Sequence, residues 1–77
     1  MLDHNSPIPL HYQLTEIIRK KALDGDLVDE DGKLPTEMEL AEQFDVSRIT
    51  IRTALKTLMN EGLLSRKRGR GTFLKTT

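Results

Sequence analysis

Apolar positions along this chain form three helical stretches followed by a short alternating tail. Leu10, Leu14, Ile17, Ile18 and Leu23 cluster on roughly one face at the helical period. Pro9 suits a first helical position, where its missing N–H would have no partner anyway, and Gly25 is a reasonable stop, so a helix is expected over 9–24. Leu40, Ala41 and Phe44 mark a shorter helix that ends before Asp45-Val46. It opens on a capping box, in which the Thr36 hydroxyl accepts the Glu39 N–H and the Glu39 carboxylate reaches back to the Thr36 N–H. After about three residues Ser47 caps a further helix over 47–61, whose Ile51, Ala54, Leu55 and Leu58 stand at i, i+3, i+4 and i+7, with Gly62 as its stop. Two short helices joined so tightly form a helix-turn-helix pattern. The tail offers Leu63–Arg66 and Thr72–Leu74 as two β-prone runs around a turn at Lys67–Gly71, a hairpin.

The remaining segments carry less pattern. Residues 1–8 hold Pro7 and no periodicity, and read as an extended lead-in. Residues 24–35 are an acidic loop anchored by Leu27 and Leu34. A calcium loop needs acids at alternating positions, a central Gly and a Glu at the twelfth; Asp29, Asp31 and Gly32 miss that register, so the loop reads as solvated. The fold class expected is mostly α with a small β-hairpin.

Length and composition narrow the functions. A chain of 77 residues supports one core, and 36% hydrophobic residues with zero net charge suit a compact fold. Cysteine is absent, which removes disulfides, thiolate metal sites and a thiol nucleophile and makes an intracellular location natural. No apolar run approaches the ~20 residues of a membrane span, and no leader pattern opens the chain. His4 and His11 have no carboxylate partner or fellow metal ligand at a telling spacing, so the chain reads as a non-enzyme with no cofactor and no metal. One Tyr and two Phe supply no platform for stacking RNA bases, and Phe44 and Phe73 read as core.

The zero net charge is a sum of unlike parts. Residues 1–45 hold eleven acids and four bases, net −7, whereas residues 46–77 hold eight bases and one acid, net +7. Either the halves neutralise each other within the fold, or the basic half faces a polyanion. Arg19, Lys20 and Lys21 read first as a solvated face and second as a backbone contact. No acid occurs between Val46 and Asn60, and Arg48, Thr50, Arg52, Thr53 and Lys56 lie off the apolar stripe. An exposed helix that serves structure alone usually mixes signs to gain i,i+4 pairs, so this face is offered to an anion. A protein-docking helix would instead show an apolar patch, and the off-core positions read as Arg, Thr, Lys and Asn. Four of the six residues from Arg66 to Gly71 are cationic, forming a basic finger.

Four motifs in order carry a resemblance. Leu34-Pro35-Thr36-Glu37-Met38-Glu39-Leu40-Ala41, Val46-Ser47-Arg48-Ile49-Thr50-Ile51-Arg52-Thr53-Ala54-Leu55, Glu61-Gly62-Leu63-Leu64 and Gly69-Arg70-Gly71-Thr72-Phe73 resemble the DNA-binding domain of GntR-family bacterial transcription regulators. The Pro9-Leu10…Gln13 opening and the Gly-Arg-Gly-Thr-Phe segment resemble its HutC-type branch. The resemblance implies a winged helix-turn-helix of three helices and a two- to three-stranded antiparallel wing sheet at 63–74, joined by a small strand near Lys33-Leu34. It implies a domain over 9–74, with 75–77 the start of a linker to an absent effector and dimerisation domain, so that the chain is a fragment. DNA contacts are implied at Thr36, Glu37, Ser47, Arg48, Thr50, Arg52, Lys56, Arg68, Gly69 and Arg70. The implied partner is a pseudo-palindromic double-stranded operator, bound by a homodimer in the full-length regulator and by a mostly monomeric isolated domain, in the cytoplasm at the nucleoid. A small-molecule effector would act only through the absent domain. Three positions depart from the family pattern: Met38 replaces the usual Arg, Asp31-Gly32 replaces a Pro-Gly turn with one extra residue, and His11 stands where a Tyr is usual.

Overall fold

The computed structural model describes residues 2–75. Three helices, α1 (Leu10–Asp24), α2 (Glu37–Phe44) and α3 (Arg48–Asn60), precede an antiparallel hairpin of β1 (Leu64–Lys67) and β2 (Gly71–Leu74). Leu14 and Ile18 of α1, Leu40 of α2, and Ile51, Ala54, Leu55 and Leu58 of α3 meet in one core with Leu27, Leu34 and Leu64. The expected α3 stripe is buried at every position, and the two loop leucines anchor the acidic loop as expected. Burial of each large aliphatic side chain supplies roughly 1.5–3 kcal/mol.

Element boundaries follow the caps. Thr36 and Glu39 form the reciprocal box, and the Ser47 hydroxyl accepts the Thr50 N–H at 3.1 Å. Gly25 (φ 81°) and Gly62 (φ 84°) end α1 and α3 in the left-handed region that glycine enters without strain. Pro9 is the N-cap of α1 rather than its first helical residue: its ψ of 144° is extended, and its carbonyl accepts from the Tyr12 and Gln13 N–H groups.

Further details differ from the sequence reading. Leu23 is 62% exposed, and Ala22 is buried in its place, because the face defined by Leu14 and Ile18 returns at every fourth residue. Phe73 lies outside the core: alternation along β2 turns Thr72 inward and Phe73 outward, where the Lys67 ammonium sits 4.9 Å from the ring centroid. Phe44, by contrast, packs on the core as expected. The lead-in folds back instead of running extended. The Gln13 amide accepts the Asp3 N–H at 2.7 Å and donates to the carbonyls of Asp3 and Ile8, while Leu2 packs on the core. The hairpin extends one residue into the expected turn on each side, pairing Lys67 with Gly71. The implied third strand is a single bridge, Lys33 to Phe73, with the Leu34 N–H on the Thr72 carbonyl at 2.9 Å.

Scaffold acids have local partners. Asp29 Oδ1 accepts the N–H groups of Asp31 and Lys33, which fixes the acidic turn. Arg19 donates to both carboxylate oxygens of Glu61 and to Glu16, tying α1 to the end of α3. These carboxylates, Glu61 first, hold the guanidinium well above its ordinary pKa, so its charge is engaged within the scaffold.

Candidate nucleic-acid interface

Helix α3 buries one stripe and presents the other. At about 100° per residue, Arg52, Thr53 and Lys56 fall on the side away from Ile51, Ala54, Leu55 and Leu58, and all three are exposed. The first turn of α3 holds no acid, whereas α2 opens with Glu37 and Glu39. Helix N-termini present unpaired N–H groups and a positive dipole end. The first turn of α1 also holds no acid, but of these two helix starts only that of α3 borders the groove described below, and its acid-free first turn suits a phosphate.

Glu37, the first residue of α2, organises the arginines. Its carboxylate accepts from Arg52 at 3.1 Å and from Arg66 of β1 at 3.1 Å, and it lies 3.9 Å from Arg48. The Glu37 side chain is only 15% exposed, while the three arginine side chains are all more than half exposed. The Arg52 hydrogen bond, reinforced by Arg66 and opposed by burial, holds the Glu37 carboxyl below its ordinary pKa. Arg52 is correspondingly raised by Glu37. One carboxylate therefore fans three cations from α3 and the wing around a single point, with their outer edges left to solvent.

These groups line an open groove of about 740 Å³ between the N-terminus of α2, the start of α3 and the wing. Of the residues implied by sequence, Thr36, Glu37, Arg48, Arg52, Arg68, Gly69 and Arg70 come together here. Ser47 and Thr50 sit at the cap of α3, their hydroxyls 2.9 Å apart. Lys56 stands one turn beyond Arg52 on the exposed face of α3 and does not line the groove. At the wing tip the Arg70 N–H closes a turn onto the Lys67 carbonyl, and a Cβ built on Gly69 would meet nothing within 4 Å, so the finger is open to a ligand. Met38 is 55% exposed and lines the groove where the family resemblance puts an Arg.

Sequence reasoning left out four residues of this face. Arg66, Lys67 and Lys33 line the groove. Alternation in the hairpin was the signal for Arg66, since it points with Thr72 across the pair. Ile49 is 74% exposed on α3 and breaks the cation-and-hydroxyl pattern expected of its off-core positions.

Residues 10–74 match the family described as bacterial regulatory proteins, gntR family. The chain belongs to the GntR family. It is 49% identical over 73 residues to the HTH-type transcriptional repressor NagR of Bacillus subtilis, covering 95% of this chain and 30% of that protein. The mannosyl-D-glycerate transport/metabolism system repressor MngR of Escherichia coli is 40% identical over 67 residues, covering 87% of this chain and 28% of that one. The chain thus spans about 30% of the length of these two relatives. Among solved structures, the DNA-binding domain of AraR in complex with an operator superposes with a TM-score of 0.82 at 38% identity, covering 97% of this chain and 95% of that one. YtrA from Sulfolobus acidocaldarius, a GntR-family transcription factor, gives 0.84 at 26% identity over the whole of this chain and 80% of its own. The fold is the winged-helix DNA-binding domain of the GntR family, whose members are transcription regulators and not enzymes.

Proposed function

We propose that residues 9–74 read a double-stranded operator for a bacterial transcription regulator, with α3 in the major groove and the wing at the adjacent minor groove. The observation that carries this reading is the gathering of Arg48, Arg52 and Arg66 on one exposed groove around Glu37, beside an α3 N-terminus with no acid in its first turn. Arg48 and Arg52 supply the forked donors that read guanine O6 and N7. Ser47, Thr50 and the first N–H groups of α3 hold phosphate oxygens and set the register. Thr36 lies at the groove wall, Glu37 orients the guanidinium groups, and Lys56 extends the cationic face toward the backbone. Arg68 and Arg70, flanking Gly69, enter the minor groove, where the negative potential attracts arginine.

The likeness to an operator-bound AraR domain supports this reading. The greater length of the relatives supports a longer protein, in which residues 75–77 lead to an effector and dimerisation domain. A dimer would place two such domains on a pseudo-palindrome, in the cytoplasm at the nucleoid, with a small molecule acting through the other domain. No helix among the described residues is long and apolar enough to cross a membrane. The test is to select duplexes from a random pool and measure affinity for the winner. Arg48→Ala and Arg52→Ala should each lose about 1–3 kcal/mol of specific binding and relax discrimination at one base pair. Unchanged affinity and preference in both variants would remove α3 from the reading role.

A further inference from the structure

The exposed face of α3 is not purely polar. Ile49 is 74% exposed, more than any other large apolar side chain described, and belongs to neither the core nor the layer packed on it. Single exposed apolar side chains are ordinary on protein surfaces, but the place of this one is particular. It lies one position after Arg48, in the first turn of α3, and Arg52, Thr53 and Lys56 stand three, four and seven residues on. These four side chains share the face opposite the buried stripe. Ile49 is therefore the apolar member of a surface otherwise built of cations and a hydroxyl, at the end of α3 that meets the groove. Its backbone is fixed as well: the Thr53 hydroxyl donates to the Ile49 carbonyl at 3.0 Å. Its β-branched side chain has little rotamer freedom to lose on contact.

Resting on the proposed reading of DNA by α3, we infer that Ile49 is a base-reading residue that packs against the 5-methyl group of a thymine in each half-site. Among the four bases, thymine alone offers an apolar group at the major-groove edge, and aliphatic side chains contact it. Arginine before and after Ile49 reads acceptors, so the first turn of α3 matches an operator strand in which a thymine adjoins guanines. An isoleucine there disfavours cytosine, whose exposed N4 amine would lose water without gaining an acceptor.

Deoxyuridine tests this directly, because it removes the methyl group and keeps every hydrogen-bonding atom. Each thymine of a duplex selected by the wild-type chain is replaced singly by deoxyuridine, and affinities are measured for wild type, Ile49→Ala and Met38→Ala. Circular dichroism checks that each variant folds. One thymine per half-site should weaken wild-type and Met38→Ala binding about fourfold when replaced, the equivalent of about 0.8 kcal/mol for one buried methyl-sized group. Ile49→Ala should bind the thymine and deoxyuridine duplexes equally. The inference falls if no position responds in the wild type, if the response survives in Ile49→Ala, or if Met38→Ala abolishes it. In each of these cases a kept preference for the selected duplex over a shuffled one leaves the DNA-reading proposal standing. Loss of that preference in the wild type would overturn both.

Discussion

Glu37 shows how much one side chain contributes to a binding surface without serving as its charge. An acid amid a cationic groove opposes a polyanion, yet its carboxylate is the common acceptor that positions Arg52 and Arg66 and approaches Arg48. Because the partners are half exposed, these pairs add little to stability through Coulomb attraction alone; they restrict where three long side chains point. The lowered Glu37 pKa fixes the sign of a pH effect. The unfolded chain protonates Glu37 near 4.5 and the folded chain at lower pH, so its contribution to stability is present above 4.5 and is lost as pH falls through the folded value. Urea unfolding of wild type and Glu37→Gln should show a gap at pH 7 that narrows below 4.5, where the protonated acid resembles the amide. A gap independent of pH would mean that shape, not charge, sets the role of Glu37. Periodicity marks Glu37 only as polar, and its three arginines lie 11, 15 and 29 residues away, so its role was illegible before the chain was folded. Ile49 was missed for a different reason: a face judged by its charges hides its one exposed apolar position.

At the scale of elements, caps explain why the two helices of the motif begin where they do. Thr36→Ala and Ser47→Ala should each destabilise the domain by about 1 kcal/mol, measured by chemical unfolding. Ser47→Ala should weaken DNA binding the more of the two, because Ser47 sits at the helix end proposed to hold phosphate, whereas Thr36 lies at the groove wall. Equal binding by both variants would argue against that placement. The helix-turn-helix was legible in sequence because capping boxes and apolar stripes are local signals, and α2 and α3 follow them closely. The weaker periodicity of α1 misled at Leu23, where an apolar side chain simply lies off the buried face. In the hairpin, the two β-prone runs were legible, but which face each residue takes depends on a register set by pairing across the turn. That is why Phe73 was assigned to the core and Arg66 was left out of the groove. The Gln13 clasp on the lead-in joins residues ten apart without any periodic pattern to announce it.

For the molecule as a whole, the even charge conceals a division of labour. The −7 portion places acids in caps, in the Asp29 turn and under the arginines, while the +7 portion supplies the exposed face of α3 and the wing. The sole acid of the basic portion, Glu61, is engaged by Arg19 at the far end of α3. Binding should therefore be strongly salt-dependent despite a net charge of zero. Arg68→Ala or Arg70→Ala should weaken all duplexes about evenly and reduce the slope of log affinity against log salt by about one. A slope unchanged in both would detach the wing from the phosphate backbone. The most direct measurement of the central claim is a titration of the isotope-labelled chain with its selected duplex, followed through backbone amide chemical shifts. If α3 and the wing read the duplex, the large shifts fall on residues 36–38, 47–56 and 66–71, with the exposed face of α1 around Tyr12 and Leu23 unmoved. Large shifts centred on α1, with the groove silent, would contradict it.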